Sequence, residues 1–301
     1  MSRSSKTLKT NTIFILAGCA FFVYLVVQQT ISLPNKDNLA IENVEIPAKI
    51  SGRQEQIIIH TGYTVSYNSD WKIPNWVAYE LTKEEVKGVT PRGNNFIPDP
   101  EVDYEMSATT DDYKKSGWDR GHMAPAADMK WSKQAMKESF YLSNICPQNR
   151  NLNSGVWKDL EEQVRGLAME KGNIYIVCGP VVSKQPKTTG SNKVAIPDAF
   201  FKVLLQNDNG NWSAIAFMFA NKSGRKLLST YAMSVEEMQT ITDIDFFPAL
   251  PDSIEEKMES QVDFTKWNIA GQARNDGGAA CNDMRQQVKQ LTQKSENDES
   301  R

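Results

Sequence analysis

Short apolar runs alternate with polar segments along the chain, and their spacing predicts a series of strands and helices. Runs rich in β-branched and aromatic residues are typical of strands. They occur within 56–68, where Gly62 divides the run in two, and at 76–82, 173–182, 198–206 and 212–220. In 154–172 the apolar residues instead recur every three or four positions, at Val156, Leu160, Val164 and Leu167. That period places them on one face of a helix.

Two further helices are predicted from shorter signals. Residues 132–144 fit a short helix, and Ser234 stands three residues before Glu237, which is the spacing of a capping box. A concentration of Pro, Gly and Asn predicts a loop over 89–102. The strands are connected through hairpins rather than regular βαβ units, and this favours an α+β fold.

The first 33 residues have the features of a targeting segment. Arg3, Lys6 and Lys9 precede an uncharged run over 13–27, which gives a basic start followed by an apolar stretch. The run is short for a membrane span of about 20 residues, so a cleaved signal peptide and an uncleaved signal anchor both remain open. Since the basic end stays in the cytoplasm, we expect an exported protein that is periplasmic, membrane-anchored or secreted.

Composition predicts the remaining boundaries. Residues 34–54 are polar and contain two prolines, which indicates a linker. Residues 55–272 hold the predicted strands and helices and form the expected domain. Residues 273–301 are polar and are predicted to be a frayed tail.

Charge and cysteine content exclude some classes of protein. The formal net charge of -3 argues against a protein that binds nucleic acid by bulk charge. Residues 114–165 nevertheless contain nine Lys/Arg and six Asp/Glu, a local excess that ordinary scatter also produces. The four cysteines lie at 19, 146, 178 and 281 without a Cys-x-x-Cys pair, so a cysteine zinc site is not indicated. The three beyond the targeting segment allow at most one intramolecular disulfide.

One of the two histidines, His122, stands two residues after Arg120 in the stretch WDRGHMAPAADM. On a strand these side chains would share a face. An imidazole can take a proton from water near neutral pH, and a guanidinium matches phosphate oxygens. The neighbouring charge would also lower the pKa of the histidine and keep it a free base. A base next to a phosphate-binding group is suited to the hydrolysis of a phosphodiester. A lone histidine is more often a packed core residue, however, so this interpretation needs support from other residues.

Two oxygen-bearing residues downstream provide that support. Asn153 stands at the entrance of the 154–172 helix, and Glu161 lies about two turns further on, so both can border one cavity. One amide oxygen and a distant carboxylate suit Mg²⁺, which keeps most of its waters; Mn²⁺ also meets this description. Taken singly, Asn153 fits a helix N-cap and Glu161 fits a solvated helix face.

Together these residues resemble the signature of the DNA/RNA non-specific endonucleases, the family of endonuclease G-like nucleases. The matching positions are Asp119-Arg120-Gly121-His122 with Ala124-Pro125, then Asn144, Pro147-Gln148, Leu152-Asn153, Trp157 and Leu160-Glu161. The resemblance covers roughly 55–270. It implies the ββα-metal (His-Me finger) fold, with a central antiparallel sheet flanked by helices.

The resemblance also implies roles for single residues. His122 would be the general base, and Asn153 the direct protein ligand of Mg²⁺. Glu161 would reach the water shell of the metal. Arg120 and Asn144 would support the phosphate, the base or the metal's waters.

Two further positions follow from the same comparison with the family. Arg92, in the predicted loop, is the candidate for a further arginine that contacts phosphate or the transition state. Cys146 departs from the small or apolar residue expected there. It would place a thiol beside the site, which leads to the hypothesis that oxidation inhibits activity.

We therefore expect a metal-dependent nuclease that cuts DNA and RNA through contacts to the phosphate backbone. The alternatives are an exported, surface-tethered protein that binds nucleic acid without cutting it, and a phosphodiesterase for another substrate. His60 matches no motif and is expected to pack or hydrogen-bond in the sheet. Trp118 and Trp131 could stack on bases, whereas Trp157 borders the apolar stripe and favours core packing. The preference for DNA or RNA and the oligomeric state, a homodimer included, remain open.

Overall fold

The computed structural model describes residues 41–267. Its strands are β1 (Gln56–Ile59), β2 (Thr64–Asn68), β3 (Ile73–Thr82), β4 (Asp119–His122), β5 (Ile145–Gln148), β6 (Asn173–Val181), β7 (Thr188–Thr189), β8 (Val194–Ala195), β9 (Ala199–Asp208), β10 (Asn211–Ala220) and β11 (Ala232–Met233). Seven of them form one antiparallel sheet in the order β1-β2-β3-β6-β9-β10-β11. The other four form two ribbons, β4 with β5 and β7 with β8.

Helices cover both faces of the central strands. They are α1 (Lys83–Val86), α2 (Thr110–Tyr113), α3 (Lys133–Glu138), α4 (Arg150–Asn153), α5 (Val156–Lys171), α6 (Val235–Thr242) and α7 (Asp252–Glu259). Phe200 and Phe201 are consecutive on β9 and therefore point to opposite faces of the sheet. The Phe200 ring lies 5.7 Å from Trp157 of α5, and the Phe201 ring lies 5.7 Å from Phe246, which follows α6. This double burial explains the continuous apolar runs of the central strands.

The predicted α+β fold with a central antiparallel sheet is confirmed. The strand pair broken at Gly62 corresponds to β1 and β2, and the other apolar runs correspond to β3, β6, β9 and β10. Helix α5 buries the stripe predicted for it and ends at Gly172, whose φ is +103°. The capping box of Ser234 and Glu237 is formed at the start of α6.

Two helix predictions differ from the structure. The helix expected over 132–144 ends at Glu138 and is followed by a 3₁₀ turn at Leu142–Asn144. The side chain of Asn144 donates to the carbonyl of Ser139, so a tertiary hydrogen bond holds the chain where the helix would have continued. Helix α7 was not predicted, because its eight residues are mostly charged and give no extended apolar stripe.

The segment predicted to be a linker contributes to the folded core from residue 41 onwards. Val44 and Ile50 are buried with the main hydrophobic cluster. The amide of Ala48 donates to the carbonyl of Asp245 at 3.0 Å. Isolated apolar anchors in polar sequence give no periodic signal, so the boundary at residue 55 was placed too late. The targeting segment and the tail lie outside the described residues. Within 41–267, no helix has the length and apolar character needed to cross a membrane.

Glu259 at the end of α7 predicts a pH dependence of stability. Its side chain is buried, with Oε2 accepting from Gln239 at 2.9 Å and Oε1 without a partner among residues 41–267. Burial, followed by the charges of Glu255, Asp245 and Glu236, raises the pKa of Glu259 to about 8. A raised folded-state pKa means that this group stabilises the fold below the unfolded value of about 4.3, and that the contribution is lost as the pH rises through 8.

Melting temperatures of the wild-type protein and of Glu259→Gln, measured in EDTA between pH 6 and 9, check this prediction. The wild-type melting temperature should fall more steeply with pH than that of the variant, which keeps a neutral side chain throughout. Parallel curves for the two proteins would show that Glu259 does not titrate in this range.

Candidate active site

The DRGH stretch forms β4, which pairs with β5 in antiparallel register. Helices α4 and α5 come directly after β5 in the chain. Arg120 lies opposite Pro147, and His122 lies opposite Ile145. Gly121 lies within β4 against the Gln148 side chain, and a Cβ at this position would lie 2.2 Å from Oε1 of Gln148, so there is no room for a larger residue. The β4–β5 ribbon thus holds residues 119–122 against residues 145–148, and a hydrogen bond between Asn153 and Asp119 joins α4 to it.

His122 is buried against two aromatic rings. Its ring centroid lies 5.3 Å from that of Phe96 and 4.9 Å from that of Phe140, and the residue is 8% exposed. Its Nε2 atom has no hydrogen-bond partner among residues 41–267. Burial, with Arg92 and Arg120 nearby, lowers the pKa of His122 to about 3. The imidazole is therefore neutral at physiological pH.

The backbone just after His122 is fixed from two sides. The amide of Met123 donates to the carbonyl of Asn144 at 3.0 Å, and the thiol of Cys178 donates to the carbonyl of Met123 at 3.2 Å. The side chain of Asn144 accepts from the amide of Ala124 and donates to the carbonyls of Ala124 and Ser139.

Of the roles predicted for Asn144, these bonds favour support of the base, His122, over a contact with phosphate or with the metal's waters. Its carboxamide is fully engaged by the backbone and is completely buried. It cannot also contact a phosphate or the waters of a metal. Asn144 is therefore a positioning residue that shapes the chain next to His122.

Two arginines frame the histidine. The Arg120 guanidinium lies 4.2 Å from the ring centroid of Phe96, and that of Arg92 lies 5.4 Å from the ring centroid of Phe140. Both act on the pKa of His122, so both are within electrostatic reach of the imidazole. Both residues are exposed. Their charges are therefore available to an anion that approaches His122.

Asn153 is held by a motif residue to which no role had been assigned. Its Nδ2 donates to Oδ2 of Asp119 at 3.2 Å. Its Oδ1 makes no hydrogen bond within residues 41–267, so the amide oxygen is free to bind a ligand. The other carboxylate oxygen of Asp119 accepts from Nε of Arg150 at 3.4 Å. Asp119 therefore fixes the orientation of the Asn153 carboxamide.

Since the family resemblance implies a Mg²⁺-dependent nuclease, replacing Asp119 by alanine should raise the Mg²⁺ concentration needed for half-maximal activity by about 10- to 100-fold, which is the usual cost of losing an outer-shell partner. Asp119→Asn keeps a hydrogen-bond acceptor and should recover most of the loss. Arg150→Ala is the matched control, because that side chain is 81% exposed and such pairs contribute little. A Mg²⁺ titration of the cleavage rate measures all three. An unchanged titration for Asp119→Ala would remove the positioning role.

Glu161 is half-buried on α5 and accepts no hydrogen bond from residues 41–267. Burial raises its pKa to about 7, although the charges of Lys202, Arg165 and Arg92 oppose the shift. Behind it, Asp128 is held by Arg165 at 2.8 Å and by the Tyr79 hydroxyl at 2.9 Å. A carboxylate without a partner in this position is able to accept from metal-bound waters.

The donor set fits a hydrated divalent cation better than a closed metal cage. Among residues 41–267, no group of three or more His, Cys, Asp or Glu side chains could hold an ion. One unpartnered amide oxygen, on Asn153, and one unpartnered carboxylate, on Glu161, remain. A cation that keeps several waters requires no more than this.

The second histidine and the cysteines lie outside the group of proposed catalytic residues. His60 follows β1 and pairs through Nε2 with Asp99 at 2.9 Å, away from His122. Cys146 and Cys178 are buried and not joined in a disulfide. Burial raises the pKa of the Cys146 thiol, which disfavours the reactive thiolate. The hypothesis of inhibition by Cys146 oxidation therefore loses its physical basis. Cys19 and Cys281 lie outside the described residues.

Comparison with known proteins agrees with this geometry. Residues 40–253 match the profile of the family described as DNA/RNA non-specific endonuclease. The chain is 34% identical to mouse nuclease EXOG, mitochondrial, over 69% of this chain and 61% of the relative. It is 30% identical to nuclease 1, mitochondrial, of Schizosaccharomyces pombe, over 68% of this chain and 70% of the relative. The chain spans between 56% and 61% of the length of the EXOG relatives it matches.

These relatives overturn the predicted export. The relatives named nuclease EXOG, endonuclease G and nuclease 1 are all described as mitochondrial. The prediction rested on residues 1–33, and a basic start without acidic residues occurs both in export signals and in mitochondrial transit peptides. Composition there could not separate the two.

A solved structure shares the fold. The crystal structure of an EndoG/EndoGI complex, a study of EndoG inhibition, includes a chain with a TM-score of 0.64 and 25% identity. The similarity covers 73% of this chain and 94% of that one. Sequence profile, relatives and fold agree with the motif geometry of β4, β5 and α5, and the chain belongs to the DNA/RNA non-specific endonuclease family.

Proposed function

We propose that the chain is a metal-dependent, sugar-non-specific endonuclease that hydrolyses phosphodiester bonds of DNA and RNA. The observation that carries this proposal is the buried Nε2 atom of His122, unpartnered among residues 41–267 and framed by Arg92 and Arg120. A neutral base beside two cations suits an anionic substrate that must be attacked by water. Asn153 lines the same cleft as Arg120.

In this proposal His122 takes the proton of the attacking water. Arg92 and Arg120 stabilise the negative charge that grows on the phosphate oxygens. A divalent cation, Mg²⁺ or in its place Mn²⁺, would supply Lewis-acid stabilisation of the leaving oxygen when bound. Asn153 would bind that ion through Oδ1, and Glu161 would accept hydrogen bonds from its waters.

The lack of sugar and sequence preference follows from where these groups act. Arginine side chains and a bound metal ion contact phosphate oxygens, which are the same in DNA and RNA. Such contacts position a substrate without reading its bases. The family membership and the names of the mitochondrial relatives support the same substrate class.

Incubation of the purified full-length chain with plasmid DNA and with RNA, in Mg²⁺, in Mn²⁺ and in EDTA, tests the proposal. Cleavage of both polymers in either metal and none in EDTA is the expected result. Binding of nucleic acid without cleavage in Mg²⁺ would instead identify a binding protein. Turnover confined to small phosphodiesters would identify a phosphodiesterase of another kind. Either of these two results would overturn the proposal.

A further inference from the structure

The cleft lined by Arg120 and Asn153 extends beyond the candidate active site, and the walls formed by Lys114 and Trp118 have no role in the chemistry described above. It has a volume of about 410 Å³ and shares Arg120 and Asn153 with that site. Its other walls include Phe96, Lys114 and Trp118. The volume falls in the range of about 300–1,000 Å³ that is typical of small-ligand pockets. The cleft is therefore large enough for a part of the substrate next to the reacting bond.

The walls combine aromatic surface with the cations Lys114 and Arg120, while the Asp119 carboxylate in the same lining is engaged by Asn153 and Arg150. Phe96 and Trp118 are half-buried, so part of each ring remains accessible. Lys114 pairs with Asp111, but both side chains are more than 70% exposed. Such a surface pair is weak, and the ammonium group can leave it for a phosphate. Aromatic rings beside cations are the combination with which proteins bind single-stranded nucleic acid.

Trp118 is held by a short turn before β4. Lys115 and Gly117 both have positive φ, +54° and +84°. The amide of Trp118 donates to Oγ of Ser116 at 3.1 Å. Trp118 directly precedes β4, and it lines the same cleft as Arg120. The turn therefore fixes the backbone from which the indole reaches a cleft that also contains a guanidinium.

We propose that this cleft binds the nucleotide adjacent to the scissile phosphodiester, with its base stacked on Trp118 and its outer phosphate near Lys114. The proposal rests on the proposed nuclease function and makes it more specific. A base inside a duplex is already stacked on both sides and cannot offer a face to the indole. The cleft thus selects single-stranded over double-stranded nucleic acid, without sequence preference, because every base has an aromatic face.

Kinetics of the full chain on a single-stranded and a duplex oligonucleotide of the same sequence test this inference. Trp118→Ala should raise KM for the single strand about 10- to 100-fold, as expected for the loss of one stacked base, with kcat little changed. KM for the duplex should change less than about threefold. Trp118→Phe keeps an aromatic face and should retain most of the affinity. Trp131→Ala is the matched control, since Trp131 is 36% exposed but does not line the cleft.

Binding of the same labelled single strand in EDTA, measured by fluorescence anisotropy, gives a readout that does not require turnover. The Kd of Trp118→Ala should rise by the same factor as its KM, while Trp118→Phe stays close to wild type. If Trp118→Ala behaves like Trp131→Ala, or loses single strand and duplex equally, the cleft proposal is overturned and the nuclease function stands. If the wild-type chain neither binds nor cuts any nucleic acid, the proposed function itself is overturned.

Discussion

Replacing His122 by alanine is expected to lower kcat/KM for nucleic acid cleavage by about 10²- to 10⁴-fold, the usual contribution of a positioned general base. This corresponds to a barrier increase of roughly 2.7–5.4 kcal/mol. The reason is the position of the imidazole: buried, neutral and unpartnered at Nε2 within residues 41–267, between Arg92 and Arg120. The chain's other histidine, His60, cannot replace His122 as the base, because its ring is hydrogen-bonded to Asp99.

Initial rates on plasmid DNA in saturating Mg²⁺, with protein freed of host nuclease, measure this effect. His60→Gln is the matched control and should stay close to the wild-type rate. Since the His122 ring packs against Phe96 and Phe140, thermal melting should confirm that the alanine variant is folded. A folded His122→Ala protein that nicks plasmid at nearly the wild-type rate would show that another group is the base.

Much of the fold could be predicted because its signals are local. The stripe of α5 and the capping box at Ser234 depend on residues within a few positions of each other, and both formed as predicted. The central strands could be recognised from apolar content alone, since both faces of the sheet are buried. The pairing of Arg120 and His122 on one strand also required only the alternation of strand residues.

What the sequence could not provide depends on contacts between distant segments. Whether Asn144 faces a ligand or the backbone is decided by Ala124 and Ser139, which surround its carboxamide only after folding. The role of Asp119 was missed for the same reason, because its partner Asn153 lies 34 residues later. The only sequence feature that pointed to a role for Asp119 was its place beside Arg120 in the DRGH motif. The core anchors at Val44 and Ile50 likewise gain meaning only from the residues that bury them.

Replacing Asn153 by alanine should produce the second large loss, and it should differ in kind from that of His122→Ala. Removing the direct oxygen donor is expected to cost at least the roughly 10- to 100-fold in metal affinity that loss of an outer-shell partner costs. Part of the lost rate should therefore return at high Mg²⁺ concentration, whereas no concentration of Mg²⁺ should restore His122→Ala. The amide is suited to this role because Asp119 engages its nitrogen and leaves its oxygen free.

Two measurements separate the metal from the chemistry. Mg²⁺ titrations of the cleavage rate give the shift in half-saturation, and melting temperatures with and without Mg²⁺ report binding without turnover, since a ligand of the folded state raises its stability. Wild type and His122→Ala should be stabilised by Mg²⁺ over the same concentration range, and Asn153→Ala should need a Mg²⁺ concentration at least about 10-fold higher for the same rise in melting temperature. Asn151→Ala is the matched control on the same helix, because Asn151 donates to Ser223 rather than to Asp119. Equal stabilisation of Asn153→Ala and wild type by Mg²⁺ would mean that the ion binds elsewhere, and the assignment of Asn153 as its ligand would be wrong.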